Sequence, residues 1–330
     1  MSTLVASIAP QRSTQYSDLA LLLAPHELQL CPAGVPIGET STVELGGAPY
    51  LRFDLAGTVD DHSLHELGTL ATLRSFFQYY EALGDQAGPF LRPLTTTFAP
   101  LLPTDLLTTR RYKGKTNELF THFLCNVAKF SGPLRDQPWG AVRLFDPLCG
   151  GGTTLFAGLI LGADVAGVEH DTQDVQTTAG FLRDYCRENR ISCTVKEERL
   201  KKIGLRWQFT IGKERPRRCI LAKGETADSS AILLGFKPNL IVTDLPYGIQ
   251  HYGEVVQLLT TALPIWADLS AAGSVMAFAW DATRFERAEM VALVESVGPW
   301  RVCGGSPYDQ LAHRVDRVIK LRDVIVATKA

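Results

Sequence analysis

The sequence predicts an α/β fold, in which a mostly parallel sheet with an antiparallel last strand follows a small α+β domain. After residue 110, short apolar runs typical of buried strands alternate with segments of helical periodicity. Two of these runs, 143–146 and 239–244, end in the acids Asp146 and Asp244, and each is followed by a loop containing glycine or proline. Because the carboxyl ends of parallel strands meet at one edge of a sheet, we expect both carboxylates at one site.

Two domains are predicted, over residues 1–110 and 111–330. A chain of 330 residues is long enough for two hydrophobic cores. The first 110 residues contain five Arg and no Lys against eleven acidic residues, a net charge of −6, whereas the remainder carries +4. The first domain is therefore an acidic accessory domain, which we assign to substrate recognition.

Patterns in the first domain predict the following elements. Residues 1–17 are polar and irregular, and a helix that starts at Ser17 is expected to break near Pro25. Alternating apolar residues predict a hairpin over 42–55 and a short strand over 89–94. Helical spacing of apolar residues predicts a helix from about Asp60 to Phe77.

Composition places the chain among ordinary soluble proteins, with 45% hydrophobic and 21% charged residues. No stretch approaches eighteen uninterrupted apolar residues, and the N-terminus lacks the features of a signal peptide. The seven cysteines form no CxxC pair and are odd in number, which favours reduced thiols over a disulfide framework or a zinc site. We expect a cytoplasmic protein without a metal site.

A glycine turn joins the run 143–146 to an apolar helical segment. Its three consecutive glycines allow the backbone to lie flat against a ligand, and the N–H groups at the helix start point toward it. About twenty residues later a second strand ends in Glu169, where an acid can accept both hydroxyls of a ribose. A carboxylate at Asp146 would repel a pyrophosphate but suits a cofactor with an ammonium and a sulfonium group. The cofactor that combines these features is S-adenosyl-L-methionine.

The run Asp146-Pro-Leu-Cys-Gly-Gly-Gly-Thr153 resembles the first motif of the class I (Rossmann-like) S-adenosylmethionine-dependent methyltransferases. The resemblance implies a Rossmann-like sheet and places Glu225, followed by Thr226, near the adenine amino group. Thr116 and Asn117 lie at the start of a predicted helix that precedes the strand 143–146. They either lie near the cofactor or belong to an ordinary helix packed beside that strand. The cofactor-binding residues predicted on these grounds are Thr116, Asn117, Asp146, Pro147, Cys149, Gly150, Gly152, Thr153, Glu169, Glu225, Thr226 and Asp244.

A second motif, Asp244-Leu-Pro-Tyr-Gly248, resembles the (D/N/S)-P-P-(Y/F) loop of methyltransferases that act on amino groups of planar substrates. The variant with leucine is similar to that of the THUMP-associated RNA methyltransferases that modify guanine N2 in tRNA. The Asp244 carboxylate and the Leu245 carbonyl can accept hydrogen bonds from the two N–H groups of such an amine. Pro246 forces the loop, and Tyr247 offers a ring that stacks on the base.

Residues 196–218 form a basic insertion with nine Lys and Arg against three Glu, and they include Trp207 and Phe209. Basic residues with aromatic side chains can hold a nucleic acid through phosphate contacts and stacking. A solvated hairpin between regular strands accounts for the same composition, and both interpretations stay open.

Later segments predict the rest of the sheet. We expect helices over 172–190, 254–270 and 281–296 and a strand over 274–280. An antiparallel pair, 300–303 with 315–321, is expected to close the sheet.

These patterns predict an S-adenosylmethionine-dependent N-methyltransferase whose substrate is tRNA or another RNA. The acidic first domain argues against RNA, because RNA-binding accessory domains are usually basic. The first alternative is an N-methyltransferase of a small planar amine or a peptide, and the second is a DNA adenine or cytosine amino-methyltransferase. A third is a non-enzymatic scaffold whose acidic domain docks a partner subunit.

Overall fold

The computed structural model describes residues 2–10, 18–33, 37–112, 114–200, 204–233, 235–246, 252–315 and 320–330. The chain divides into two compact units, Met1–Ala99 with Gly305–Lys320 and Pro100–Gly304 with Leu321–Ala330. In the described part of the chain, no helix is long and apolar enough to cross a membrane.

The first unit contains a five-stranded antiparallel sheet in the order β2-β3-β1-β4-β5. Its elements are β1 (Ser2–Ile8), α1 (Leu19–Leu30), β2 (Ile37–Leu45), β3 (Ala48–Leu55), α2 (Asp61–Gly68), β4 (Leu73–Leu83) and β5 (Gln86–Leu94). The predicted hairpin over 42–55 is confirmed as β2 and β3, and the strand over 89–94 lies within β5.

Two predictions near the N-terminus are wrong. Residues 2–8 are not irregular but form β1, which pairs with β3 and β4 and whose residues Leu4 to Ala6 are fully buried. Residues 11–17 lie outside the described residues. Helix α1 continues through Pro25 because apolar residues on both sides of it are buried, and burial outweighs the lost backbone hydrogen bond.

The helix predicted to reach Phe77 is also wrong in its second half. It begins as expected, since the Asp60 side chain accepts a hydrogen bond from the Ser63 N–H at 2.8 Å, but it ends at Gly68. From Leu73 the chain is the strand β4, rich in the aromatic residues that strands favour. Pairing of β4 with strands on both sides overrides the helical spacing of its apolar residues.

The second unit contains a nine-stranded sheet in the order β13-β14-β12-β11-β6-β7-β10-β9-β8. Its helices are α3 (Leu106–Thr109), α4 (Glu118–Phe130), α5 (Thr153–Leu161), α6 (Thr172–Glu188), α7 (Ser229–Leu233), α8 (Tyr252–Leu269) and α9 (Arg287–Ser296). Its strands are β6 (Arg143–Asp146), β7 (Asp164–Glu169), β8 (Cys193–Leu200), β9 (Gly204–Ile211), β10 (Arg217–Lys223), β11 (Leu240–Asp244), β12 (Val275–Asp281), β13 (Trp300–Val302) and β14 (Arg322–Lys329).

The predicted mostly parallel sheet with an antiparallel last strand is confirmed. Strands β10, β7, β6, β11 and β12 are parallel, and β14 runs antiparallel between β12 and β13. The basic insertion adds an antiparallel hairpin, β8 with β9, beside β10.

The closing strand is not the predicted segment 315–321, of which residues 316–319 lie outside the described residues. It is β14, because the continuous apolar run Val324–Ala327 is fully buried between two strands, as a central strand requires.

A topological switch point lies between β6 and β11. After β6 the chain continues to β7 and β10 on one side, and β11 then returns to pair with β6 on the other side. Ligands of open α/β sheets bind in the crevice outside the carboxyl ends of the two strands at such a point. The predicted residues Asp146 and Asp244 are the last residues of these two strands.

Candidate active site

Asp146 is a buried carboxylate, with 3% of its surface exposed. The Leu148 N–H donates a hydrogen bond to its Oδ1 at 3.1 Å. Burial raises the pKa of Asp146 to about 6; hydrogen bonds from Thr154 and Leu148 oppose this rise, and the negative charge of Asp244 adds to it. A carboxylate that has lost its water in this way gains strongly from a cationic ligand.

The glycine turn after Asp146 is held by backbone hydrogen bonds. Gly150 and Gly152 have φ angles of 47° and 84°, in the left-handed region that favours glycine. The Gly152 N–H donates to the Cys149 carbonyl at 2.7 Å, and the Cys149 N–H donates to the Val168 carbonyl at 2.9 Å. Pro147 and Thr153 are buried beside the turn. Burial raises the pKa of the Cys149 thiol well above its ordinary value, so Cys149 is a packing residue rather than a nucleophile.

Glu169 ends β7 and is tied directly to the glycine turn. Its Oε2 accepts a hydrogen bond from the Gly150 N–H at 2.9 Å, and its Oε1 accepts one from the Asp171 N–H at 2.9 Å. The His170 Nδ1 lies 2.8 Å from the same Oε1. The acid predicted for the ribose therefore lies at the turn in a fixed orientation.

Arg110 and Tyr112, to which the sequence pattern gave no role, contact the same turn. The Tyr112 hydroxyl and the Thr153 hydroxyl are 2.6 Å apart, and Arg110 donates to the Gly151 carbonyl at 2.7 Å. A Cβ atom at Gly151 would overlap the Tyr112 ring. The local sequence offered one signal, an aromatic residue after the basic pair Arg110-Arg111 at the end of a connector rich in Pro and Thr.

The two residues before α4 have different roles. Asn117 caps the helix, since its Oδ1 accepts a hydrogen bond from the Phe120 N–H at 3.0 Å. Thr116 reaches the site, where its hydroxyl donates to Asp244 Oδ2 at 2.8 Å. The structure thus joins Thr116 to the predicted catalytic acid, 128 residues away in the sequence.

Asp244 has a second partner that the sequence pattern missed. Arg322 Nη2 lies 3.5 Å from Asp244 Oδ2, and the two side chains are only 3% and 12% exposed. The next residue, Leu245, is buried, and its N–H donates to the Ala279 carbonyl of β12 at 2.9 Å. Pro246 is exposed, and the predicted stacking residue Tyr247 lies outside the described residues.

The pair predicted for the adenine follows β10. Glu225 is exposed and precedes a short 3-10 turn over Thr226–Asp228. The Thr226 hydroxyl accepts a hydrogen bond from the Trp266 Nε1 at 2.9 Å, so its side chain is bound to the core of the second unit. Glu225 is the better placed of the two to meet a ligand.

The basic insertion does not present its aromatic residues to solvent. Trp207 and Phe209 are 8% and 1% exposed, which contradicts one of the two interpretations of the insertion, namely that these rings stack on nucleobases. Because both rings lie in the strand β9, beside β10, they complete the core instead. Arg206 is also buried and pairs with Glu198. The exposed basic residues described in this segment are Lys196, Arg199, Lys213, Arg215 and Arg218.

Within the described residues, no group of three or more His, Cys, Asp or Glu side chains is arranged to hold a metal ion.

Comparisons with known proteins give only distant likenesses. No protein-family model and no curated protein sequence matches this chain. One similar solved structure is TrmN from Thermus thermophilus, which is 14% identical with a TM-score of 0.48 and all of both chains covered.

Two further similar structures cover less of the chain. The T. thermophilus 16S rRNA N2 G1207 methyltransferase RsmC, in complex with AdoMet and guanosine, is 14% identical with a TM-score of 0.39, and the match covers 89% of this chain and 58% of RsmC. The rRNA methyltransferase aviRa from Streptomyces viridochromogenes is 17% identical with a TM-score of 0.42, over 70% of this chain and 92% of aviRa.

Substituting Gly151 by alanine should displace Tyr112, because the added Cβ overlaps the ring. We expect a loss of about 1 to 3 kcal/mol in the free energy of unfolding, measured in urea. Adding Tyr112→Ala should cancel most of that loss. Gly150→Ala is the matched control: its Cβ meets nothing within 4 Å, but its φ of 47° costs about 1 to 2 kcal/mol, which Tyr112→Ala should not recover. Additive effects of Gly151→Ala and Tyr112→Ala would contradict the contact.

Asp146→Asn should stabilise the ligand-free protein near neutral pH. Since the folded pKa of about 6 lies above the ordinary value of 3.8, the folded state binds more protons than the unfolded state between about pH 4 and 6. Stability therefore falls as pH rises through that window, by on the order of 3 kcal/mol in total. The variant should exceed the wild type in free energy of unfolding at pH 7.5 and match it at pH 4. If the variant is less stable at pH 7.5, burial of the Asp146 charge does not lower the stability of the wild type.

Proposed function

We propose that this chain is an S-adenosylmethionine-dependent N-methyltransferase that methylates an amino group of a planar, conjugated substrate. The observation that carries the proposal is the position of Asp244. It ends the strand next to Asp146 at the switch point, beside a glycine turn tied to Glu169. An acceptor for a substrate amine and a half-site for a cationic nucleoside cofactor thus share one edge of the sheet.

The residues at the turn suit the cofactor's chemistry. Asp146 offers a buried negative charge to the ammonium and sulfonium groups, and Glu169 offers a fixed carboxylate to the ribose hydroxyls. Glu225, exposed after β10, is our candidate for the adenine amino group. When bound, S-adenosylmethionine supplies an electrophilic methyl group on its sulfonium.

Asp244 and Leu245 would prepare the substrate nitrogen. An exocyclic amine conjugated to a ring is a poor nucleophile, because its lone pair is delocalised into the ring. When the Asp244 carboxylate and the Leu245 carbonyl accept hydrogen bonds from its two N–H groups, the nitrogen lone pair turns out of conjugation with the ring. The same acceptors stabilise the positive charge that develops on the nitrogen. Pro246 and Tyr247 complete the loop in this proposal, with the Tyr247 ring stacked on the substrate.

The first substrate we propose is RNA, with guanine N2 in tRNA as the target atom. The support is the Asp-Leu-Pro-Tyr-Gly variant, together with the exposed basic residues of the insertion 196–218, which suit phosphate contacts. Residues 1–110 are proposed as the accessory domain that recognises the substrate. A docking partner subunit and a cytoplasmic location stay predictions.

Binding of S-adenosylmethionine should release protons near pH 6. A cationic ligand lowers the pKa of Asp146, so the fraction of Asp146 that is protonated at pH 6 must lose its proton on binding. Affinity should fall as pH drops below about 6, by up to tenfold per pH unit. Titration calorimetry in two buffers of different ionisation enthalpy measures the released protons. Asp146→Asn should bind S-adenosylmethionine more weakly and release no protons. Equal proton release by the variant would show that Asp146 is not part of the cofactor site.

Methyl transfer is tested with labelled S-adenosylmethionine and separate pools of tRNA, DNA, peptides and cell metabolites. We expect label in tRNA, as N2-methylguanine after digestion, and a loss of about 100- to 1,000-fold in Asp244→Ala and Asp244→Asn. The matched control is Asp281→Asn, since Asp281 ends the neighbouring strand β12 at the same edge and should leave the rate unchanged. Label only in DNA, a peptide or a metabolite would select the corresponding alternative, and absence of cofactor binding would overturn the proposal.

A further inference from the structure

Arg322 approaches Asp244 from the far side of β12. It is the first residue of β14, where it lies opposite Asp281. Asp244 lies opposite Ala279 on the other side of the same strand. Arg322 is therefore near the carboxyl-end edge of the sheet, two positions along β12 from Asp244, and its long side chain spans that strand to reach the carboxylate.

The guanidinium of Arg322 is held between an acid and an aromatic ring. Its Nη2 lies 3.5 Å from Asp244 Oδ2, and its Cζ lies 4.6 Å from the centroid of the Phe120 ring. Arg322 is 3% exposed and Phe120 is fully buried. A charged side chain is rarely buried unless it is paired, and both contacts here attract a cation. The guanidinium is thus fixed in one place with its charge directed at Asp244.

The start of α4 places a hydroxyl donor at the same oxygen. The Thr116 hydroxyl donates to Asp244 Oδ2 at 2.8 Å, and Phe120 lies one turn along from Thr116. The terminal torsion of an aspartate side chain is intrinsically broad, so one hydrogen bond leaves the carboxylate free to swing. The Arg322 guanidinium and the Thr116 hydroxyl both contact Oδ2, so together they limit this rotation and with it the direction of the other oxygen.

We propose that Arg322 is a positioning residue for Asp244, which sets the orientation of the carboxylate that accepts a hydrogen bond from the substrate amine. This inference depends on the proposed function. An arginine side chain stays protonated throughout the working pH range, so its positive charge is always present at the site. A purely structural ion pair would have a different signature, because breaking it would lower stability without changing the rate of methyl transfer in the folded protein.

The test compares kcat, the affinity for S-adenosylhomocysteine and the free energy of unfolding in Arg322→Gln, Arg322→Met and Arg322→Lys. We expect kcat to fall roughly 10- to 100-fold in the first two with cofactor affinity unchanged, since a displaced catalytic group costs about that much. Arg322→Lys keeps the charge and should recover part of the rate. The control is Arg287→Gln, which breaks the neighbouring Arg287–Asp323 pair at 3.0 Å and should lower stability but leave kcat unchanged. If Arg322→Gln does not fold, Arg322→Met, which keeps the packing against Phe120, decides.

The same Arg322 substitutions are then made in the Asp244→Ala background. A positioning role predicts no further loss of kcat there, because the group that Arg322 orients is already gone. An equal fold-loss in both backgrounds, or a wild-type kcat in Arg322→Met, would overturn the role of Arg322 while leaving the proposed function intact. A wild-type protein that binds no S-adenosylmethionine, or transfers no methyl group to any pool, would overturn the proposed function and this role together.

Discussion

The burial of Asp146 at the end of β6, beside Asp244 at the end of β11, is the constraint on which the rest of the site depends. Parallel pairing of β6 and β11 brings both strand ends to one edge, and the charge of Asp244 contributes to the raised pKa of Asp146. The two carboxylates have different surroundings. Asp244 contacts a guanidinium and a hydroxyl, whereas Asp146 is buried and accepts hydrogen bonds from the Leu148 N–H and from Thr154. This difference suits an arrangement in which a positively charged ligand binds at Asp146.

One stretch of chain, residues 110–117, connects the two halves of the site. Arg110 and Tyr112 bind the glycine turn, and Thr116 binds Asp244. Lys115 stabilises the stretch from within, since its Nζ donates to the Arg110 carbonyl at 2.8 Å and to Glu118 Oε1 at 2.6 Å. A change of position at the glycine turn is therefore linked mechanically to the acid that would receive the substrate amine.

The residues of the basic insertion fall into a buried set and an exposed set. Its aromatic residues and Arg206 complete the core at the edge of the sheet, where β9 pairs with β8 and β10. Other basic residues of the same segment remain exposed. Burial of Trp207 and Phe209 removes base stacking from this surface but leaves a positively charged edge, so contact with RNA here would depend on phosphates and therefore on salt.

The sequence by itself determined the sheet and the two acids at its switch point. Buried parallel strands must be continuous apolar runs, and a glycine turn between such a strand and an apolar helix is typical of a nucleoside-binding unit, so β6, β7, β11 and their terminal acids follow from local pattern. The tertiary structure alone decided which residues join them. Thr116 and Arg322 are far from Asp244 in the sequence, and Tyr112 is far from Thr153, so no local pattern predicts which partners these residues contact. It also decided β1 and β4, because strand pairing in the first unit overrides local composition and helical spacing. Contacts between segments that are distant in the sequence leave no pattern in the local sequence, whereas burial of a whole strand requires a continuous apolar run.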